Sequence, residues 1–300
     1  ANELNTTDRT VEVKVFDRED NNLTPHSQSI IVHVDNTPPT VDLDPVAPGV
    51  NDNVVNIFQA TLINNGSVLI APGIHISDID DTNLSKVEIN LNSNIAGDNL
   101  GLTDNNIALA NNIKVTLSAD GHNVTLSGLN GLATIQQYEA VIAKLGFFNN
   151  SGDPKLVDRN VTYTVTDKDG GVATGHTTIH INDVAPDISA TPEVHITQDN
   201  FIHGAIFAQN VNITDLDDNT VSKVEIKISS AVNTHDRLSI SNINSDKLDI
   251  TIDANGKVII TVKAGVTDTS FADFKAIIEA VKIEFASNAN ELNTQDRQVE

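Results

Sequence analysis

The 300 residues carry 41 Asp and Glu against 18 Lys and Arg, a formal net charge of −23, with 39% apolar residues, 4% aromatic and no Cys, Met or Trp. Missing cysteine excludes disulfide staples, thiolate metal ligands and thiol nucleophiles, and the acidic excess argues against nucleic acid or anionic lipid as a partner. No apolar run is long enough to span a membrane, and no basic-then-apolar leader opens the chain, which lacks an initial Met and is read as a section of a longer protein.

The chain opens with ANELNTTDRTVE (1–12) and closes with ANELNTQDRQVE (289–300), alike at ten of twelve positions. NTTDRTVEVKVFDRED (5–20) and VHVDNTPPTVD (32–42) come first, two alternating segments ended by the proline pair Pro38-Pro39. Alternation rich in Val, Ile and Thr then predicts strands at IHIS (74–77), SKVEINL (85–91), KVTLS (114–118) and NVTLS (123–127). The turn Ala119-Asp120-Gly121 separates the last two. Ile135, Tyr138, Ile142 and Leu145 follow helical spacing and predict a short helix capping one end of a sandwich. NVTYTVT (160–166) and HTTIHI (176–181) complete the series, joined by Asp169-Gly170-Gly171.

The series then repeats. SDIDDTNLSKVEI (77–89) returns as TDLDDNTVSKVEI (214–226), TLSADGHNVTL (116–126) as TIDANGKVIIT (251–261), and the helical segment as SFADFKAIIEAV (270–281) with Phe271, Phe274, Ile278 and Val281 in register. LVDRNVTYTVTDKDGG (156–171) matches residues 5–20, and IHINDVAPDIS (179–189) matches residues 32–42. The order is kept throughout, which marks a tandem module of roughly 140–150 residues. Many short strands with turn residues between them predict an all-β fold of β-sandwiches joined end to end, each with one short helix. The joins at Pro38-Pro39 and Pro186 divide the chain into the tail of one unit (1–39), a complete unit (40–186) and the front of another (187–300).

VTYTVTDKDGGVATGHTTIHINDVAP (161–186) resembles the last two strands and linker of a cadherin domain, with TDKDGG and INDVAP in the family's order. The whole unit, with YEAVIAKLGFFNNSGDP (138–154) followed by DR and a TD-x-DG turn, resembles the cadherin-like repeats of giant bacterial RTX-type surface adhesins. The Gly-rich nonapeptide repeats of such proteins are absent, so the resemblance is to their extender region.

Calcium takes six to eight hard oxygen ligands, so acidic loops that converge suit it. A D-x-D step sets two carboxylates side by side, as in Asp78-Ile79-Asp80 and Asp215-Leu216-Asp217. The resemblance places this step, the Asp of the TD turn and the acidic linker at one domain junction. It implies a first Ca2+ junction drawing on Glu3, Asp35, Asn36, Asp78, Asp80 and Asp167. A second would draw on Asp153, Asn182, Asp183, Asp215 and Asp217, with Glu291 the third equivalent of Glu3 and Asp153. Asp81 and Asp218 read either as ligands or as turn residues, and Asp120 and Asn255 as turn residues.

No enzyme is expected. The sequence offers no Ser-His-Asp spacing, phosphate-cradling Gly loop or zinc motif, and its two Tyr make a poor sugar-stacking floor. Histidines 33, 75, 122, 176, 180 and 195 read as scattered surface residues without repeating partners. The resemblance implies extracellular extender repeats on a bacterial surface, stiffened by Ca2+ at their linkers, that project a distal adhesive region in biofilm formation. The alternative is a unit that itself binds a glycan or host protein, hinted at by a turn at REDNNLTPHSQS (18–29) about three residues longer than its counterpart. Homophilic adhesion of the animal cadherin kind is a third reading. The echoing ends suggest a split domain: residues 1–39 of one molecule complete residues 187–300 of another, head to tail, which sets Asp17 beside Asp215 and Asp217.

Overall fold

A computed structural model of the chain describes residues 7–19, 25–44, 52–151, 153–229, 235–285 and 295–300. They fall into two compact units, residues 1–183 and 184–300.

The first unit begins with β1 (Arg9–Val15) and β2 (His26–Val32), an antiparallel ribbon in which Arg9 faces Val32, Val11 faces Ile30 and Val15 faces His26. Every residue of the ribbon is exposed, although Val11, Val13 and Val15 alternate with polar residues as a core-facing strand would, and β2 ends in the apolar run Ile30-Ile31-Val32. The chain continues through β3 (Thr40–Asp42), β4 (Asp52–Phe58), α1 (Gln59–Asn65), β5 (Val68–Leu69), β6 (His75–Ser77), β7 (Asn83–Asn92), β8 (Asp98–Leu102), α2 (Asn106–Ala110), β9 (Ile113–Leu117) and β10 (Asn123–Gly128). It ends with β11 (Ala133–Thr134), α3 (Ile135–Ile142), β12 (Leu145–Asn149), β13 (Arg159–Asp167) and β14 (Val172–Asn182).

One sheet runs β4-β14-β13-β7-β10-β9 with β11 beside β7; opposite it lie β5-β12-β8, and β3 pairs with β6. The side chains that alternate inward on β7 and β13 (Leu84, Val87, Ile89 and Leu91; Val161, Tyr163 and Val165) are buried with Leu126, Phe147 and Tyr138. The predicted helix forms where a capping box at Thr134 and Gln137 opens α3. It is shorter than the spacing suggested, because Leu145 already begins β12. Two further short helices, α1 and α2, add to the single one expected. The pairing of β4 with β14 is parallel, a mixed-sheet feature that alternation alone does not specify.

The second unit holds β15 (Asp187–Ser189), α4 (Gln198–Ile202), β16 (Ala205–Ile206), β17 (Asn212–Thr214), β18 (Lys223–Ile226), β19 (Asp236–Ser239), β20 (Leu248–Ile252), β21 (Val258–Val262), α5 (Phe271–Ile278) and β22 (Lys282–Phe285). Its sheets β18-β21-β20 and β16-β22-β19 enclose Phe274, Ile278, Val258, Ile260 and Phe285. Residues Val194–Thr197, whose VHIT matches VNIF of β4, form no strand here. Both units are thus all-β sandwiches with few short helices.

Candidate metal centre

The loop after β6 is shaped by its own first aspartate. Asp78 Oδ1 accepts the backbone N–H groups of Asp80 (3.1 Å) and Asp81 (3.0 Å), which turns the chain back toward β7. The linker after β2 is tied to this loop, since Thr37 N–H donates to Asp80 Oδ2 at 3.0 Å. A register shift at Thr166 and Asp167 ends the regular ladder between β13 and β7. Asp167, fully buried, accepts from the backbone N–H groups of Asp169 (2.9 Å) and Gly171 (2.8 Å) on Oδ1 and from Asn36 Nδ2 (2.8 Å) on Oδ2. A β-carbon at Gly171 would lie 2.4 Å from Asp167 Oδ2, 2.6 Å from Asn36 Nδ2 and 2.9 Å from Pro38 Cα, so the linker and turn meet here in a space only glycine leaves open.

Linker, D-x-D-D loop and TD turn thereby converge. One carboxylate oxygen each of Asp78, Asp81 and Asp167 lies within 4.8 Å of the others. Asp80 is 6% exposed and Asp81 2%, yet Asn36 Oδ1, Asp78 Oδ2, Asp80 Oδ1 and Asp81 Oδ2 are buried without a hydrogen-bond partner. Three of these belong to carboxyl groups and one to a neutral amide, and burying them is unfavourable unless a cation compensates them. Lys168 supplies part of that charge, its Nζ 3.1 Å from Asp81 Oδ1 and 3.8 Å from Asp169. Burial and the neighbouring Asp80 carboxyl push Asp78 above the usual carboxylate range, while the Thr37 N–H and the Asp78 side chain hold Asp80 below it.

The donor set fits calcium. It is all oxygen, and oxygens at about 2.3–2.6 Å from one ion stand up to about 5 Å apart, so three carboxylate oxygens within 4.8 Å of one another can share one calcium. The set carries no nitrogen or sulfur ligand of the kind zinc prefers.

Of the residues expected at the first junction, Asn36, Asp78, Asp80 and Asp167 meet in this network, whereas Asp35 is exposed and outside the three-carboxylate group. Asp81, which sequence left between ligand and turn, is the most buried carboxylate of the loop. Its signal was the doubled Asp in both repeats, Asp80-Asp81 and Asp217-Asp218. Lys168 went unnoticed because nothing local marks it. Glu3 and Glu291 lie outside the described residues, as do residues 20–24 of the long turn.

The residues expected at the second junction are divided between the units. In the first unit, Asp153 accepts from Gln59 Nε2 (2.8 Å) and Lys155 Nζ (3.1 Å), Asn182 donates to Ile57 O (3.3 Å), and Asp183 is exposed. The second unit repeats the loop: Asp215 Oδ1 accepts from Asp217 N–H (3.2 Å) and Asp218 N–H (3.4 Å), and Val184 N–H donates to Asp217 Oδ2 (3.1 Å), as Thr37 does to Asp80. Burial alone would raise Asp215, but the Asp217 carboxyl and these N–H groups outweigh it and hold it low. Asp17 is exposed in the ribbon turn and accepts Glu19 N–H at 2.7 Å, the same two-residue step that Asp167 makes with Asp169.

The histidine reading needs correction. His33 Nδ1 meets Asp8 Oδ1 at 2.8 Å and His180 Nδ1 meets Asp158 Oδ1 at 2.6 Å, so these two histidines hold equivalent positions with equivalent partners. Both pairs are exposed clips between the ends of paired strands, and this repetition is structural.

No protein-family model and no curated protein matches the sequence. Among solved structures, Drosophila N-cadherin EC1-4 aligns at 13% identity over 90% of this chain and 52% of its own, TM-score 0.26. The human desmocollin-1 ectodomain aligns at 15% over 87% and 39%, TM-score 0.22, and protocadherin gamma B7 extracellular cadherin domains 1-4 at 12% over 86% and 49%, TM-score 0.26. The chain thus spans about half or less of the length of these structures. At such scores the likeness carries no weight for function. No helix among the described residues is long and apolar enough to cross a membrane.

Proposed function

We propose that this chain is a run of extracellular spacer repeats in which calcium pins each linker to the D-x-D-D loop that follows it, stiffening an extended bacterial surface adhesin. The observation that carries the reading is the convergence of Asn36, Asp78, Asp80, Asp81 and Asp167 with four buried oxygens lacking hydrogen-bond partners. A bound ion would replace several like-charge repulsions by attraction and cross-link linker, loop and turn. Removing it would loosen the linker, whose side-chain hydrogen bonds to the loop and turn come from one neutral donor at Thr37 and one at Asn36. A tandem module with a repeated linker-to-loop contact suits a structural array better than a catalytic centre.

Small-angle scattering on the 300-residue chain tests the stiffening. A larger, better defined maximum dimension in millimolar Ca2+ than in chelator is expected. The same dimension and the same flexibility in both would overturn the spacer mechanism.

A further inference from the structure

Lys168 follows the turn residue Asp167 and precedes Asp169, and its ammonium lies 3.1 Å from Asp81 Oδ1 and 3.8 Å from Asp169 Oδ2. Asp81 belongs to the three-carboxylate group, and its other oxygen, Oδ2, is buried without a hydrogen-bond partner. One carboxylate of the cluster is therefore half committed to a cation that the chain itself carries. The turn has its own support. Backbone N–H groups of Asp169 and Gly171 donate to Asp167 Oδ1 at 2.9 and 2.8 Å, so its shape does not depend on the charge of Lys168.

The two acids that Lys168 meets differ in setting. The Asp81 side chain is 2% exposed and the Asp169 side chain 30%. A buried carboxylate needs a counter-charge far more than a solvated one does, so the ammonium stabilises the cluster chiefly through Asp81. A divalent ion on Asp78, Asp81 and Asp167 would answer the same need with two charges, and would repel an ammonium one carboxylate away. Lys168 can yield. Its side chain is 22% exposed on a flexible four-carbon stem, and Asp169 offers it a better solvated partner outside the three-carboxylate group. The sequence repeats the arrangement: Arg18 stands between Asp17 and Glu19 as Lys168 stands between Asp167 and Asp169.

We infer that Lys168 is a resident counter-cation that calcium must displace from Asp81. It holds loop and turn together when calcium is scarce, and it raises the calcium concentration at which the linker is pinned. This role rests on the calcium reading and adds a threshold to it. Without the ammonium the cluster binds calcium more tightly and is less stable in chelator. The two effects are linked, because the stability that Lys168 gives the calcium-free chain and loses on binding is subtracted from the affinity for calcium.

Calcium calorimetry on the full chain compares the parent with Lys168→Met, which keeps the stem and removes the charge, and with Lys168→Arg, which keeps a charge. The event followed is the one abolished by Asp78→Asn with Asp81→Asn. Lys168→Met should bind about tenfold tighter, the scale of one partly screened charge, and Lys168→Arg should stay close to the parent. Urea unfolding read by Tyr138 and Tyr163, both in the core of the first unit, supplies a second measurement. The midpoint of Lys168→Met should lie below the parent's in chelator, and the gap should close in saturating calcium. Affinity unchanged or weakened in Lys168→Met, or tightened equally in Lys168→Arg, would overturn this role while the calcium reading stands. A gap of the same size in chelator and in calcium would do so too, since Lys168 would then be structural only. No saturable event in the parent or in Lys168→Met would overturn the calcium reading and this role with it.

Discussion

Arg159 is fully buried, and its charge is met by one carboxylate and two carbonyls. Nε donates to Asp98 Oδ2 at 2.9 Å and Nη2 to Asp98 Oδ1 at 3.2 Å, Nη1 reaches Lys155 O and Val157 O, and Asn149 Nδ2 donates to Asp98 Oδ1 at 2.6 Å. This network ties the strand entry of β13 to β8 and β12. Breaking one side of a buried pair leaves an uncompensated charge, a loss of about 3–5 kcal/mol. Arg159→Ala should therefore destabilise the first unit by that amount, and Asp98→Leu in the same chain should restore part of it. Both tyrosines, Tyr138 and Tyr163, lie in the core of the first unit, so urea unfolding followed by tyrosine fluorescence reports on that unit alone. A change below about 1 kcal/mol would contradict the account of the pair. In sequence the DR step was visible as a repeat but not as an ion pair, because Asp98 lies 61 positions away and no local pattern links them.

At the scale of elements, the strands of β7, β10, β13 and β14 were legible from alternation, because one face of each is buried and period-2 burial writes itself into Val, Ile and Thr spacing. The short helices α1 and α2 were not, since a turn or two of helix carries too few apolar positions to show a period. For the candidate site, the D-x-D step and the TD turn stood out as repeated acids. Whether Asp80 or Asp81 points inward depended on hydrogen bonds to Asp78 and Thr37 that sequence does not display. Gly171 makes the convergence testable. A methyl group there collides with Asp167, Asn36 and Pro38, and relieving such overpacking typically costs about 1–3 kcal/mol. Gly171→Ala is expected to weaken calcium binding about tenfold or more. The tyrosine-monitored melt of the first unit should fall by that same cost of about 1–3 kcal/mol, so the affinity is to be measured well below the melting range. Unaltered calcium affinity in this variant would show that linker and turn do not share a site.

At the scale of the whole molecule, two sandwiches carry the same loop, the same linker contact and the same buried Arg–Asp pair, which is what a spacer built by repetition requires. The acidic excess and the absence of cysteine fit that role. What would distinguish it from a plain array of acidic sandwiches is the proposed cation, so calcium binding is the decisive measurement. Isothermal calorimetry with Ca2+ on the parent chain, compared with a chain carrying Asp78→Asn and Asp81→Asn, isolates the described cluster from the many other acids. A saturable heat is expected, with affinity at or tighter than the about 10⁻⁴–10⁻³ M of extracellular modules, and loss of one such binding event in the double variant. Identical isotherms for the two chains, or no saturable heat in the parent, would contradict it.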